Sequence, residues 1–322
     1  MNLAQAIEVA QTTALPGFLT DDASLSDERR RNEEAISLLH ASWMAAPKGE
    51  EGFDYSLVLS LAQRNRQLCD LYGSERLRDY PGQNLPRKLP DADLVASLAK
   101  LQHRSAKSVA KSAGPDLVDM GIAYVEKKVS GMVLGIDIET TDRNPDRGYI
   151  INIGVVPAQL EAEGDAARGW SAYFGLPELY REKGVPLSEI HGIAWSDLEG
   201  KLPFTENEAA HSALLKAMTK APVVMAHNAA FEDAWLMLSL PGYAEARKAG
   251  KILLADTRDI CRRIDPDVKS LPHDSSPAAL ENWARRRGVL KPGENERHLG
   301  LEDVFLMLDT VRAEFRERNM LA

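Results

Sequence analysis

An α/β fold with a mixed sheet flanked by helices over residues 131–322, preceded by an all-α segment over residues 1–130, is what the sequence predicts. Three observations carry this. Up to about residue 130 the apolar residues recur at helical spacing between breakers rich in Gly and Pro. After Gly131 they gather into short β-branched runs, as strands require. Those runs then alternate with helical segments, the pattern of a layered α/β domain. At 322 residues the chain has room for roughly two domains.

In the first part, helices are expected over Ala4–Ala14, Asp27–Ala46, Tyr55–Leu71, Asp91–Lys111 and Asp116–Val129. Asp27 (or Ser26) and Asp91 serve as expected N-caps. Breakers stand between them, among them Pro16-Gly17, Tyr80-Pro81-Gly82 and Gly114-Pro115. In the second part, Met132–Ile138 and Tyr149–Val156 read as neighbouring strands joined by a polar turn, and Trp170–Leu176 as a third. Val223–Ala226 and Ile252–Ala255 are short buried-strand candidates.

A formal net charge of −9 argues against a protein that coats nucleic acid through overall basicity. It leaves room for a site whose carboxylates are neutralised by bound cations. Only Cys69 and Cys261 are present, far apart, so neither a disulfide framework nor a thiolate zinc site is expected, and a reducing cytoplasm suits the chain. The start lacks the pattern of a signal peptide, and no apolar run reaches the length of a membrane span, so no membrane partner is expected. The chain carries no internal repeat.

Three polar clusters carry the chemistry. Asp137 and Glu139 close the apolar run Met132–Ile136, two residues apart, so a strand presents both on one face. Taken alone, such a pair is more often a solvated strand end. At the end of an apolar run, though, two charges need partners, and metal ions would serve. The second cluster is His227-Asn228-Ala-Ala-Phe231-Glu232-Asp233, after a short strand and opening a helix. The third is His298-Leu-Gly-Leu-Glu302-Asp303 at the start of the C-terminal helix. His298 and Asp303 converge only if His298 lies on the loop before that helix, since five residues turn a helix through about 140°.

In this order, the clusters resemble the DEDDh 3′→5′ exonucleases, the DnaQ-like group that includes proofreading subunits, RNase T and oligoribonuclease. Gly135-Ile-Asp137-Ile-Glu139-Thr140-Thr141 followed by Tyr149-Ile-Ile-Asn-Ile-Gly154 is similar to the family's strand–turn–strand opening. His227-Asn-Ala-Ala-Phe231 matches its second motif, and the His298-to-Asp303 spacing is that of the "h" subgroup. His191-Gly-Ile193 and Asp256-Thr-Arg258 are similar to two further landmarks. The resemblance covers roughly residues 132–319 and leaves the first 130 without a known role. It departs from the family at one point: Glu232 stands where an Asp is usual, with Asp233 one place later, so either could be the fourth acid.

The resemblance implies a ribonuclease H-like fold and hydrolysis of phosphodiester bonds at 3′ ends of single-stranded DNA or RNA, releasing nucleoside 5′-monophosphates. It further implies two Mg²⁺ or Mn²⁺ ions held by Asp137, Glu139, Glu232 and Asp303, with His298 as general base. Thr140 and Thr141 would contact the terminal nucleotide. His227 and Asn228 either touch substrate or form a hydrogen-bonded turn before the helix. Phe231, Trp235 and Leu238, at i, i+4 and i+7, read as core. Lys100, Arg104, Lys107 and Lys111 fall on one helix face in a stretch without acids, a candidate phosphate track or else a solvated face. Arg262-Arg263 and Arg285-Arg286-Arg287 are further basic candidates. A catalytically weak end-binding or polymerase-accessory module is the competing reading, and a homodimer or a polymerase or repair partner stays open.

Overall fold

The computed structural model describes residues 1–11, 22–72, 131–161, 168–269 and 277–321. Along the chain these form α1 (Leu3–Gln11), α2 (Asp22–Ala45), α3 (Ser56–Tyr72), β1 (Met132–Thr140), β2 (Ile150–Gln159) and β3 (Trp170–Tyr173). Three short helices follow, α4 (Leu179–Lys183), α5 (Ser188–His191) and α6 (Trp195–Leu198), then α7 (Glu208–Lys220) and β4 (Val224–Ala226). The chain continues as α8 (Ala230–Ser239), α9 (Tyr243–Lys248), β5 (Leu254–Asp256), α10 (Thr257–Ile264) and α11 (Pro266–Lys269), and closes with α12 (Leu280–Arg286) and α13 (Gly300–Glu317). The helices expected over Asp91–Lys111 and Asp116–Val129 lie outside the described residues.

The sheet runs β3-β2-β1-β4-β5. β1 pairs antiparallel with β2, and β2 with β3, while β4 and β5 join in parallel. This is the ribonuclease H-like mixed sheet that the motifs imply. All five expected strands form, each within a few residues of its expected limits.

Alternation along β1 divides the core. Leu134, Ile136 and Ile138 face a cluster built with α1–α3 and α7–α9. Val133 faces a second cluster built with α10, α12 and α13. The acids at 137 and 139 share the second face. Helices α1–α3 therefore contribute to the same continuous core as the sheet. Arg66, fully buried, donates to Pro145 O at 2.6 and 3.0 Å, Leu238 O at 3.0 Å and Ser239 Oγ at 2.9 Å.

Helix α2 starts at Asp22, five residues before the expected N-cap. The reason is Leu25, buried at the head of a stripe that continues through Arg29, Asn32, Ile36 and Leu39. Two members of that stripe are polar, which hides its helical period from hydropathy.

Candidate active site

Asp137 and Glu139 lie where β1 meets the start of α13. The approach is close because the sequence supplies glycine on both sides. A Cβ on Gly300 would sit 2.6 Å from Gly154 N and 2.7 Å from Asn152 Oδ1, and one on Gly135 would meet Val304 Cγ1 at 2.5 Å. With no side chains between them, the helix rests directly on the strands, and Gly300 N donates to Asn152 Oδ1 at 3.1 Å. Asp303, one turn into α13, is thereby delivered to the strand acids. One carboxylate oxygen from each of Asp137, Glu139 and Asp303 lies within 4.8 Å of the others.

His298 sits on the loop before α13, as convergence requires. Its backbone is left-handed (φ 53°), uncommon for a residue with a side chain. Its Nδ1 is 4.0 Å from Asp303 Oδ2, and its side chain stays 44% exposed, open to water. Glu296, two residues earlier, completes a second group in which Glu296, His298 and Asp303 atoms are mutually within 4.8 Å.

Glu232 and Asp233 part company on the first turn of α8. Glu232 is 2% exposed, and its Oε2 has no hydrogen-bond partner. Its charge is felt at Asp137, and that of Glu139 is felt at Glu232. Asp233 turns the other way and accepts from Tyr243 Oη at 2.7 Å and Arg247 Nε at 3.0 Å.

Burial, then mutual repulsion, pushes these acids up. Asp137 stands well above the usual carboxylate range, by burial and then by the charges of Glu139, Glu232, Asp303 and Glu296. Glu139 is raised by burial and then by Asp303 and Glu296. Burial raises Glu232 as well, with Asp256 and Glu139 adding to it. Asp303 is pushed up to about 7 by burial and by Glu296. The carboxylates of Asp137, Glu139 and Asp303, with the orphaned buried oxygen of Glu232 close enough for its charge to be felt at Asp137, form an oxygen-donor set that fits a hard divalent cation.

The other candidates lie nearby in varied settings. Thr140 and Thr141 are buried at the end of β1. Thr140 Oγ1 donates to Asp142 O at 2.8 Å, and Thr141 Oγ1 accepts from Tyr149 N at 2.9 Å. His227 has both ring nitrogens engaged, one with Thr257 Oγ1 and one with Ala278 O, each at 3.0 Å. Asn228, also left-handed (φ 70°), donates its N–H to Asp256 Oδ1 at 3.0 Å, and its side-chain oxygen accepts from Arg258 at 3.3 Å. Lys100, Arg104, Lys107 and Lys111 lie outside the described residues.

Arg286 and Arg287 are tied to the buried Asp265 at 2.8 and 2.6 Å, and Arg287 also to buried Glu314. Arg285 pairs with Glu281 at 2.6 Å. Arg286 and Arg287 brace the end of α12 against α10 and α13. Trp235 and Leu238 are core, with Phe231 packed against them.

Sequence reasoning missed Glu296. Lying in the polar run Lys291-Pro-Gly-Glu-Asn-Glu296-Arg297, it reads as one more solvated loop acid. Its only local signal is its place two residues before His298.

No family model matches the chain, and no curated protein matches it. Among solved structures, it is similar to one described as a full-length 3′-exonuclease, at 17% identity and a TM-score of 0.43, over 60% of this chain and 84% of that one. It is also similar to the zinc-bound form of the E. coli ExoI–ssDNA complex, at 16% identity and a TM-score of 0.41, over 58% of this chain. That match spans 41% of ExoI, less than half its length. A third similar structure, described as 3′-end specific recognition of histone mRNA stem-loop by 3′-exonuclease, has 17% identity and a TM-score of 0.41, over 58% of this chain and 83% of that one.

Proposed function

We propose that residues 131–322 form the 3′→5′ exonuclease domain, acting on 3′ ends of single-stranded DNA or RNA, and that residues 1–130 are a helical domain whose helices α1–α3 share its core. The observation that carries the reading is the convergence of Asp137, Glu139 and Asp303 within 4.8 Å, with His298 beside them on an open loop. Such spending of buried charge is costly for folding and needs a compensating ligand.

Asp137, Glu139, Asp303 and Glu232 would hold two Mg²⁺ or Mn²⁺ ions. When bound, such ions neutralise phosphate charge and lower the pKa of water. Asp137 would be a ligand within that set, since its carboxyl feels the charges of Glu139, Glu232 and Asp303. Glu232 is the fourth acid, because its free Oε2 is available while Asp233 is spent on Tyr243 and Arg247. His298 takes the proton from the attacking water, a task suited to an imidazole that is half in solvent. The leaving 3′ oxygen takes its proton from solvent, and the product is a nucleoside 5′-monophosphate.

Thr140 and Thr141, which follow Glu139 along the chain, would contact the terminal nucleotide, with their hydroxyls released from Asp142 O and Tyr149 N. The test is wild type beside Asp137→Ala with labelled single strands in Mg²⁺ or Mn²⁺. Wild type should degrade the strands, and Asp137→Ala and EDTA should each reduce degradation to background. Degradation that survives Asp137→Ala would place the chemistry elsewhere, and a wild type that binds strands without cutting them would favour the end-binding module.

A further inference from the structure

Glu296 has no part in the roles above, yet its carboxylate shares a 4.8 Å neighbourhood with the His298 ring and with Asp303. Its position is held from outside the site. Glu296 N donates to Glu281 Oε2 at 2.9 Å. Arg285 then staples the same loop to α12 by binding Glu281 Oε1 at 2.6 Å, Glu294 O at 2.9 Å and Asn295 Oδ1 at 2.7 Å. The loop thus carries Glu296 on a fixed backbone into His298, whose own left-handed backbone persists only where its surroundings hold it.

We infer that Glu296 is a positioning residue for His298, orienting its imidazole and stabilising the imidazolium formed when it takes the proton. This rests on the nuclease reading of the site. Among the described residues, the carboxylates of Asp303 and Glu296 lie within reach of the ring. Asp303 belongs to the strand acids as well and would be engaged by a cation, so its charge is not free for the histidine. Glu296 is the carboxylate that remains. A carboxylate behind a catalytic imidazole fixes its tautomer and pairs with its charged form without itself touching substrate. The proton moves from the attacking water to His298 and then to solvent.

The experiment is a double-mutant cycle of Glu296→Gln and His298→Ala on the full chain. It reads kcat and KM on a 5′-labelled single strand, with Mn²⁺ affinity measured separately by electron paramagnetic resonance. Glu296→Gln should lower kcat by about ten- to a hundredfold, the usual scale for such outer partners, with KM little changed. Mn²⁺ affinity should stay within about threefold, and in the His298→Ala background Glu296→Gln should cost nothing further. Arg285→Met, which loosens the loop from outside, should lower kcat in the same direction by a smaller factor. Four results would overturn the inference: an unchanged kcat, an equal loss with and without His298, a tenfold or greater loss of Mn²⁺ affinity (which would make Glu296 a metal ligand), or a wild type with no metal-dependent nuclease activity. Only the last would also remove the nuclease reading beneath it.

Discussion

Gly154 and Gly300 decide how near α13 comes to β2, and so whether Asp303 reaches Asp137. Any side chain at either position must displace backbone. Gly154→Ala and Gly300→Ala should each cost about 1–3 kcal/mol of stability through overpacking. They should also lose far more activity than that figure suggests, because Asp303 and His298 move with the helix start. Urea unfolding alongside a nuclease assay checks both. The acids of α8 make a second residue-scale test. Glu232→Gln should abolish activity while leaving stability unchanged or raised, since it replaces a buried acid whose Oε2 has no hydrogen-bond partner. Asp233→Asn should spare the chemistry and cost about 1–3 kcal/mol, because Arg247 loses its ion pair in a part-buried setting. The opposite pattern would make Asp233 the functional acid.

Among the elements, the strands were the most legible, because β1 and β2 are apolar runs with a polar turn between them and α13 has a clear amphipathic face. The meeting of Asp137, Glu139 and Asp303 was legible only through motif order, since no local property of residues 137 and 303 reports their proximity. What could not be read was long-range polar pairing. Arg66 and Arg287 look like surface charges in sequence, yet Arg66 is buried and the Arg287 side chain is only 5% exposed, each against partners far along the chain. The second motif shows the same thing. His227 joins the end of β4 to α10 and to Ala278, and desolvation, with Arg258 nearby, pushes its pKa down to about 3. The sign follows. With the folded value below the ordinary 6.5, the unfolded chain binds a proton that the folded chain refuses, so stability present at pH 6.5 and above is lost as pH falls toward 3. Between pH 6.5 and 4 the urea midpoint of wild type should fall relative to that of His227→Gln, by the share of one proton. Equal slopes would mean that His227 is hydrated in the folded protein.

On the scale of the whole molecule, the site works against folding until its charge is met. Asp137, Glu139 and Glu232 are raised above their ordinary values and Asp303 is pushed up to about 7, so the metal-free protein binds more protons than the unfolded chain. Their contribution is fully present below about pH 4 and is lost as pH rises through about 7, for Asp303, and on through about 9, for Glu139. Mn²⁺ or Mg²⁺ should therefore raise the melting temperature more at pH 8 than at pH 5.5, and Asp137→Ala should remove most of that difference; a shift independent of pH would contradict the site's electrostatics. Helices α2 and α3 add to the same assembly by fastening the turn after Glu139: Asn65 Nδ2 donates to Asp146 O at 3.1 Å, and Glu33 pairs with Arg147 at 3.1 Å. The most direct measurement follows 5′-labelled single-stranded DNA and RNA in Mn²⁺, with products sized to single nucleotides. A ladder shortening one nucleotide at a time from the 3′ end, absent in Asp137→Ala and strongly slowed in His298→Ala, is the predicted result; immediate release of the labelled mononucleotide, internal fragments, or an intact strand would contradict it.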